Sequence, residues 1–191
     1  MAEKLTILGI AGSLRKDSYN RAALRVAQQL VPVDGVIEIF DLAPIPLFNQ
    51  DQEKNPPQSV VDLKSVIRSS DAILFATPEY NYSVPGVLKN AIDWASRPFG
   101  DSAWKDKPVA MMGASPGELG SARAQYHLRQ VLVSLNMHCL NMPEVMIAKA
   151  SERFDSRGML VDQKANDLIR QLLQGLLEWT RRLQSVPVST T

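Results

Sequence analysis

"LTILGIAGSLRKDSYNRAAL", residues 5–24, changes character twice. Leu5–Ile10 is a short apolar run of the length a buried strand needs. Ala22, Val26 and Leu30 then recur at helical spacing, so a helix begins close to Ser18 or Asn20. Between the two lie hydroxyl, basic and amide side chains, with Gly12 as the loop's one glycine. A buried strand that feeds a polar loop and then an amphipathic helix is the first unit of an alternating α/β chain.

The same alternation runs on. Further strand-like runs are Val36–Phe40, Ala72–Thr77, Val109–Ala114 and a weaker one around Val145–Ala148. Between them, Val60, Leu63 and Ile67 share a helix face, which Pro56 and Pro57 can open. Leu88, Ala91, Ile92 and Ala95 mark a helix between Pro85 and Pro98, and Ala124, Leu128, Val131, Leu132 and Leu135 mark another. The final helix keeps its 3–4 spacing from Ala165 to Leu183. The first, third and fourth runs are almost wholly apolar, as strands covered on both faces should be. The expectation is a doubly wound parallel sheet with helices on both faces, in a single domain over residues 1–185, with a disordered tail at 186–191. In such sheets ligands bind beyond the carboxyl ends of the strands. That rule selects the loops at 11–20, 77–85 and 114–121.

Bulk composition narrows the possibilities. Lys plus Arg is 21 against 20 Asp plus Glu, so charge gives no pull toward nucleic acid or membrane. The single Cys139 excludes an intrachain disulfide. No apolar stretch approaches the roughly 18 residues of a bilayer span, and the N-terminus does not read as a signal peptide. The expected compartment is the cytoplasm. His127 and His138 have no partners at metal spacing, so no metal site is expected. The methionines read as core or interface filler.

In the first loop, Ser13, Arg15, Ser18 and Asn20 suit a phosphate at a helix N-terminus. Equally, Ser18 or Asn20 simply caps the helix and Arg15 is solvated. "GIAGSLR" fits neither the dinucleotide fingerprint nor the nucleoside-triphosphate loop. The second loop, "TPEYNYSVPGVLKNAIDWASRP" (77–98), sets exposed backbone beside two tyrosines, which suits a planar heteroaromatic ligand. Its plainer reading is a turn whose Tyr80 and Tyr82 pack on the core or on a partner subunit. Nothing in the sequence raises the pKa of Glu79 enough to make it a general acid.

Together, "GSLRKDSYNRAAL", "PEYNYSVPGVLKNAIDWASRP" and "GASPGELGSARAQYHLRQ" (113–130) resemble the NADPH-dependent FMN reductase family of the flavodoxin-like superfamily, in its bacterial quinone and chromate reductase branch. The resemblance extends from about Leu5 to Leu183. It implies a five-stranded parallel sheet in the order 2-1-3-4-5, with FMN at the switch point between strands one and three. It places the FMN phosphate at Ser13, Arg15, Ser18 and Asn20. It places the isoalloxazine ring against Pro78, Glu79, Tyr80 and Asn81, with Ser115 and Gly117 closing the other side. It also implies subunit contacts through Arg123, Tyr126 and Glu144, in a homodimer or homotetramer. Relatives commonly have Gly-Gly where this chain reads Gly120-Ser121; a serine there can cap the fourth helix.

The activity so implied is transfer of hydride from NADPH or NADH to flavin N5 and on to quinones in a ping-pong cycle. Chromate, azo and nitro compounds are possible side acceptors. The flavin does the chemistry, so no side chain is expected as an obligatory acid or base. Arg15, Arg97 and Arg123 are the candidates for contact with a 2′-phosphate. The competing function is a flavodoxin-like electron carrier without nicotinamide turnover, against which a net charge of +1 argues.

Overall fold

A computed structural model describes residues 4–185 of the chain, so the expectation of a disordered tail at 186–191 lies outside the described residues. Four parallel strands, β1 (Leu5–Ala11), β2 (Gly35–Phe40), β3 (Ala72–Ala76) and β4 (Pro108–Ala114), stand in the order β2-β1-β3-β4. The fifth position departs from expectation. It is shared by two short strands on the same edge of β4. β5 (His138–Cys139) pairs with Pro108 and Val109, and β6 (Val145–Ile147) pairs with Met112 to Ala114. Both are parallel, so the order 2-1-3-4-5 holds with its last strand divided. Pro143, which has no N–H to give a ladder, lies in the interruption.

Alternation along each strand sorts the core. From β3, Ala72, Leu74 and Ala76 face one side, whereas Ile73 and Phe75 face the other. The first side carries α1 (Tyr19–Leu30) and α6 (Gln163–Gln184). The second carries α2 (Gln58–Ser69), α3 (Gly86–Ala95) and α4 (Ala122–Ser134). Side chains toward α1 and α6 are small along the central strands (Ala11, Ala72, Ala76, Ala110, Ala114), which lets both helices pack close. From α6, Ile169, Leu172, Leu173, Leu176 and Leu177 are buried. Each contributes about 1.5–3 kcal/mol by leaving water, so this helix is fixed by its face. A short helix, α5 (Ala150–Arg153), and a 3-10 turn at Gln50–Gln52 had no periodic signal in the sequence. Among the described residues no helix is long and apolar enough to cross a membrane.

Candidate active site at the carboxyl edge of the sheet

The three selected loops converge at the carboxyl edge. Gly12 leaves β1 against the second loop: a Cβ there would lie 3.2 Å from the Pro78 ring. Ser13 is buried, and its Oγ is 3.3 Å from the Tyr80 phenol oxygen, bridging the first loop to the second. Asn20 ties the first loop to the third. Its Nδ2 donates to the Ala114 carbonyl and its Oδ1 accepts from the Ala114 N–H, both at 2.9 Å. Through these bonds the buried Asn20 side chain joins the start of α1 to the end of β4.

Ser18 is the N-cap of α1, accepting from the Asn20 N–H at 3.2 Å. Arg15 is exposed, its guanidinium 5.5 Å from the Tyr19 ring centre, beside a depression of about 280 Å³ that Ser18, Arg25 and Arg157 also line. The N–H groups of Ser13, Leu14, Lys16, Asp17 and Tyr19 have no acceptor among the described residues. Unpaired donors at the N-terminus of a twelve-residue helix, with serine hydroxyls and an arginine beside them, form an anion-binding set.

The second loop is a tight turn. Tyr80 and Ser83 exchange backbone hydrogen bonds at 3.1 and 3.0 Å, and the central residues Asn81 and Tyr82 have φ of 49° and 66°. Positive φ at both centres is a type I′ geometry. Asparagine tolerates it, but a tyrosine there costs about 1–2 kcal/mol. Tyr80 and Tyr82 are 50% and 67% exposed, so the reading that packs them into the core fails.

The turn is held from α4. Glu79 accepts from the backbone N–H of Arg123 at 3.0 Å and of Ala124 at 3.3 Å, and it pairs with the Arg123 guanidinium. The hydrogen bond that the Arg123 guanidinium donates to Glu79 is the main cause that raises its pKa above the ordinary arginine value. That guanidinium lies 3.5 Å from the Tyr82 ring centre. Glu79 thus caps α4 from outside, where a cap is typically worth about 1 kcal/mol. Ser121 does not cap it. It has φ 70°, is buried, and accepts a hydrogen bond from the Gln125 amide at 3.3 Å. The expected serine cap is therefore replaced by a carboxylate 44 residues away in sequence.

The third loop runs from Ser115 to Gly120. Ser115 donates its N–H to Ile147 at 3.0 Å, and its Oγ accepts from the Gly117 N–H at 3.2 Å. Gly120 has φ 53°, and a Cβ there would fall 2.5 Å from the Met146 carbonyl carbon, so only glycine fits. Tyr126 is half-exposed and donates to Glu144 at 3.3 Å within the same chain; that bond pushes the phenol pKa up. His127 Nδ1 is 3.1 Å from the Ser83 hydroxyl. Met142 is 68% exposed, so it is no core filler. Arg97 follows the carboxyl end of α3 and so sits at the opposite edge of the sheet. With Arg123 committed to Glu79, Arg15 is the remaining one of the three arginines that is both near the loops and unpaired. Among the described residues no cluster of His, Cys, Asp and Glu could hold a metal.

The family model for NADPH-dependent FMN reductases matches residues 5–152. The chain belongs to that family. It is 55% identical over 185 residues to an NAD(P)H-dependent FMN reductase of Pseudomonas aeruginosa, covering 96% of this chain and 100% of the relative. It is 44% identical over 179 residues to a quinone reductase of Pseudomonas putida, covering 93% and 94% of the two chains. Its fold is similar to that of FerB, a flavoenzyme NAD(P)H:(acceptor) oxidoreductase from Paracoccus denitrificans, with a TM-score of 0.86, 38% identity, and coverage of 93% and 98%. FMN is the cofactor of such an FMN reductase and a nicotinamide dinucleotide its reductant. The donor set of the first loop fits FMN, whose single phosphate monoester can be held by unpaired N–H groups, serine hydroxyls and one arginine.

Proposed function

We propose that this FMN reductase passes electrons from NADPH or NADH to quinones, with the two substrates using one open ring face in turn. The observation that carries this reading is the set of unpaired N–H donors at Ser13, Leu14, Lys16, Asp17 and Tyr19, bridged by the Ser13–Tyr80 contact to the exposed turn after β3. Ser13, Arg15, Ser18 and the backbone of their loop hold the phosphate; Asn20 keeps that loop on β4. Pro78, Glu79, Tyr80 and Asn81 line the ring through main-chain groups, and Ser115 and Gly117 close its other side. Bound there, FMN supplies the hydride-accepting N5 and the redox capacity. No acid or base is asked of the protein, which agrees with Glu79 being paired with Arg123. Chromate, azo and nitro compounds are proposed as side acceptors, because an open ring face asks little of an acceptor beyond access. Assembly as a homodimer or homotetramer through Arg123, Tyr126 and Glu144 belongs to the same proposal, and the exposure of Tyr126 and Met142 supports it. The cytoplasm is the proposed compartment.

The test is to add FMN to the purified protein and follow NADPH oxidation with and without benzoquinone. Quinone-dependent oxidation by a yellow protein is expected. A yellow protein without oxidation would point to the carrier function, and a protein with no FMN affinity would overturn both. Arg15→Ala with Ser18→Ala should weaken FMN binding at least about tenfold while the cooperative unfolding transition persists.

A further inference from the structure

We propose that the Glu79–Arg123 pair is a positioning device: it holds the 80–83 turn in its left-handed conformation, and so sets how well the turn receives the flavin ring. The inference rests on the FMN site proposed above, but its geometry is independent of it.

Four observations carry it. The turn holds two successive non-glycine residues at positive φ, a conformation that does not persist unless its surroundings impose it. The ties that impose it come mainly from the first turns of α4. Glu79, just before the turn, is bound to two α4 N–H groups and to Arg123. Tyr82, within it, lies under the Arg123 guanidinium, and Ser83, at its end, meets His127 of the same helix. The Glu79 side chain is only 7% exposed, although that of Arg123 is 37% exposed, so the carboxylate end of the pair is screened less than in a surface bridge.

The device also has a reason to be built this way. α4 begins with Ser121 in a left-handed conformation and without a side-chain cap, leaving its first N–H groups in need of an acceptor. Glu79 meets that need from the opposite loop, so the flavin turn and the start of α4 order one another. Tyr80 extends the linkage through its phenol to Ser13 in the phosphate loop. The pair touches no reacting atom; it acts through the turn.

Glu79→Gln, Arg123→Met and the double variant test this, with Asp162→Ala as control. Asp162 caps α6 by accepting from the Ala165 N–H at 2.8 Å and pairs with Arg153, so its loss removes a comparable helix cap and ion pair with no contact to the 80–83 turn. Expected are FMN dissociation constants about tenfold weaker in each single variant and no weaker in the double, with a shifted flavin reduction potential. The control should keep both values. Hydrogen exchange at 79–83 should accelerate in flavin-free single variants but not in the control. Unchanged exchange there would overturn the inference even if the wild-type protein binds no FMN, whereas absence of FMN binding with accelerated exchange would overturn only the flavin assignment. Sedimentation velocity is read on each variant. Loss of FMN affinity only when the assembly dissociates would overturn the inference in favour of a subunit-contact role.

Discussion

At the scale of single residues, Gly113 and Ser121 are one packing decision. A Cβ on Gly113 would lie 1.8 Å from Ser121 Oγ and 2.5 Å from the Thr77 carbonyl oxygen. The serine can occupy its left-handed position because its neighbour on β4 has no side chain. Gly113→Ala should therefore destabilise the protein by about 2–4 kcal/mol. Adding Ser121→Gly should recover part of that loss, because the hydroxyl clash goes and the Thr77 clash remains. Urea midpoints of both variants decide it; simple additivity would show that the two sites do not interact. Residue types in the loops point to the proposed anion site, since serine, arginine and a helix start act locally. The role of Glu79 left no sequence signal: its partners are on another element, and a carboxylate in a loop looks the same whether it caps a helix or faces water.

Secondary-structure elements were legible in proportion to their length and burial. The apolar runs of β1, β3 and β4 and the stripe of α6 announce themselves, because packing on both faces or along one face demands them. β5 is two residues long and α5 four, too short for any period to register. β5 is instead held by tertiary contacts. The Trp179 indole N–H of α6 donates to the His138 carbonyl at 3.0 Å, and the Leu140 N–H donates to Val109 at 2.8 Å. Trp179→Phe should cost about 1 kcal/mol and should speed exchange of the Leu140 amide, with FMN affinity retained. An amide that stays as slow as in the wild type would show that pairing with β4 alone fixes this strand.

For the molecule as a whole, one cluster of ion pairs lies at the edge of the sheet opposite the proposed flavin site. At the amino edge, Asp101 accepts from Lys64 at 2.8 Å and from Arg68 at 2.6 Å, fastening the loop after α3 to α2. The hydrogen bond from Lys64 is the main cause that holds the Asp101 carboxyl below its ordinary pKa. The folded state then binds fewer protons than the unfolded one in acid. Its contribution to stability is present above the unfolded value of about 3.9 and is lost as pH falls through the lower folded value. Asp101→Asn should lower the urea midpoint at pH 6, and its difference from wild type should shrink as pH falls below about 4, vanishing once pH is under the folded value. A difference that persists in acid would exclude titration of this carboxyl as its source.

The divided edge strand bears on solubility. A long, straight, unpaired strand edge is a template on which other chains can add. Here the β5–β6 edge offers two and then three paired residues with a proline between, too little continuous backbone for a foreign strand to register against. That leaves β2 as the one uninterrupted edge of the described sheet, with Val36 and Ile39 partly open to solvent. Aggregation of partly unfolded molecules should therefore begin at β2, and charged substitutions at Val36 or Ile39 are the place to suppress it.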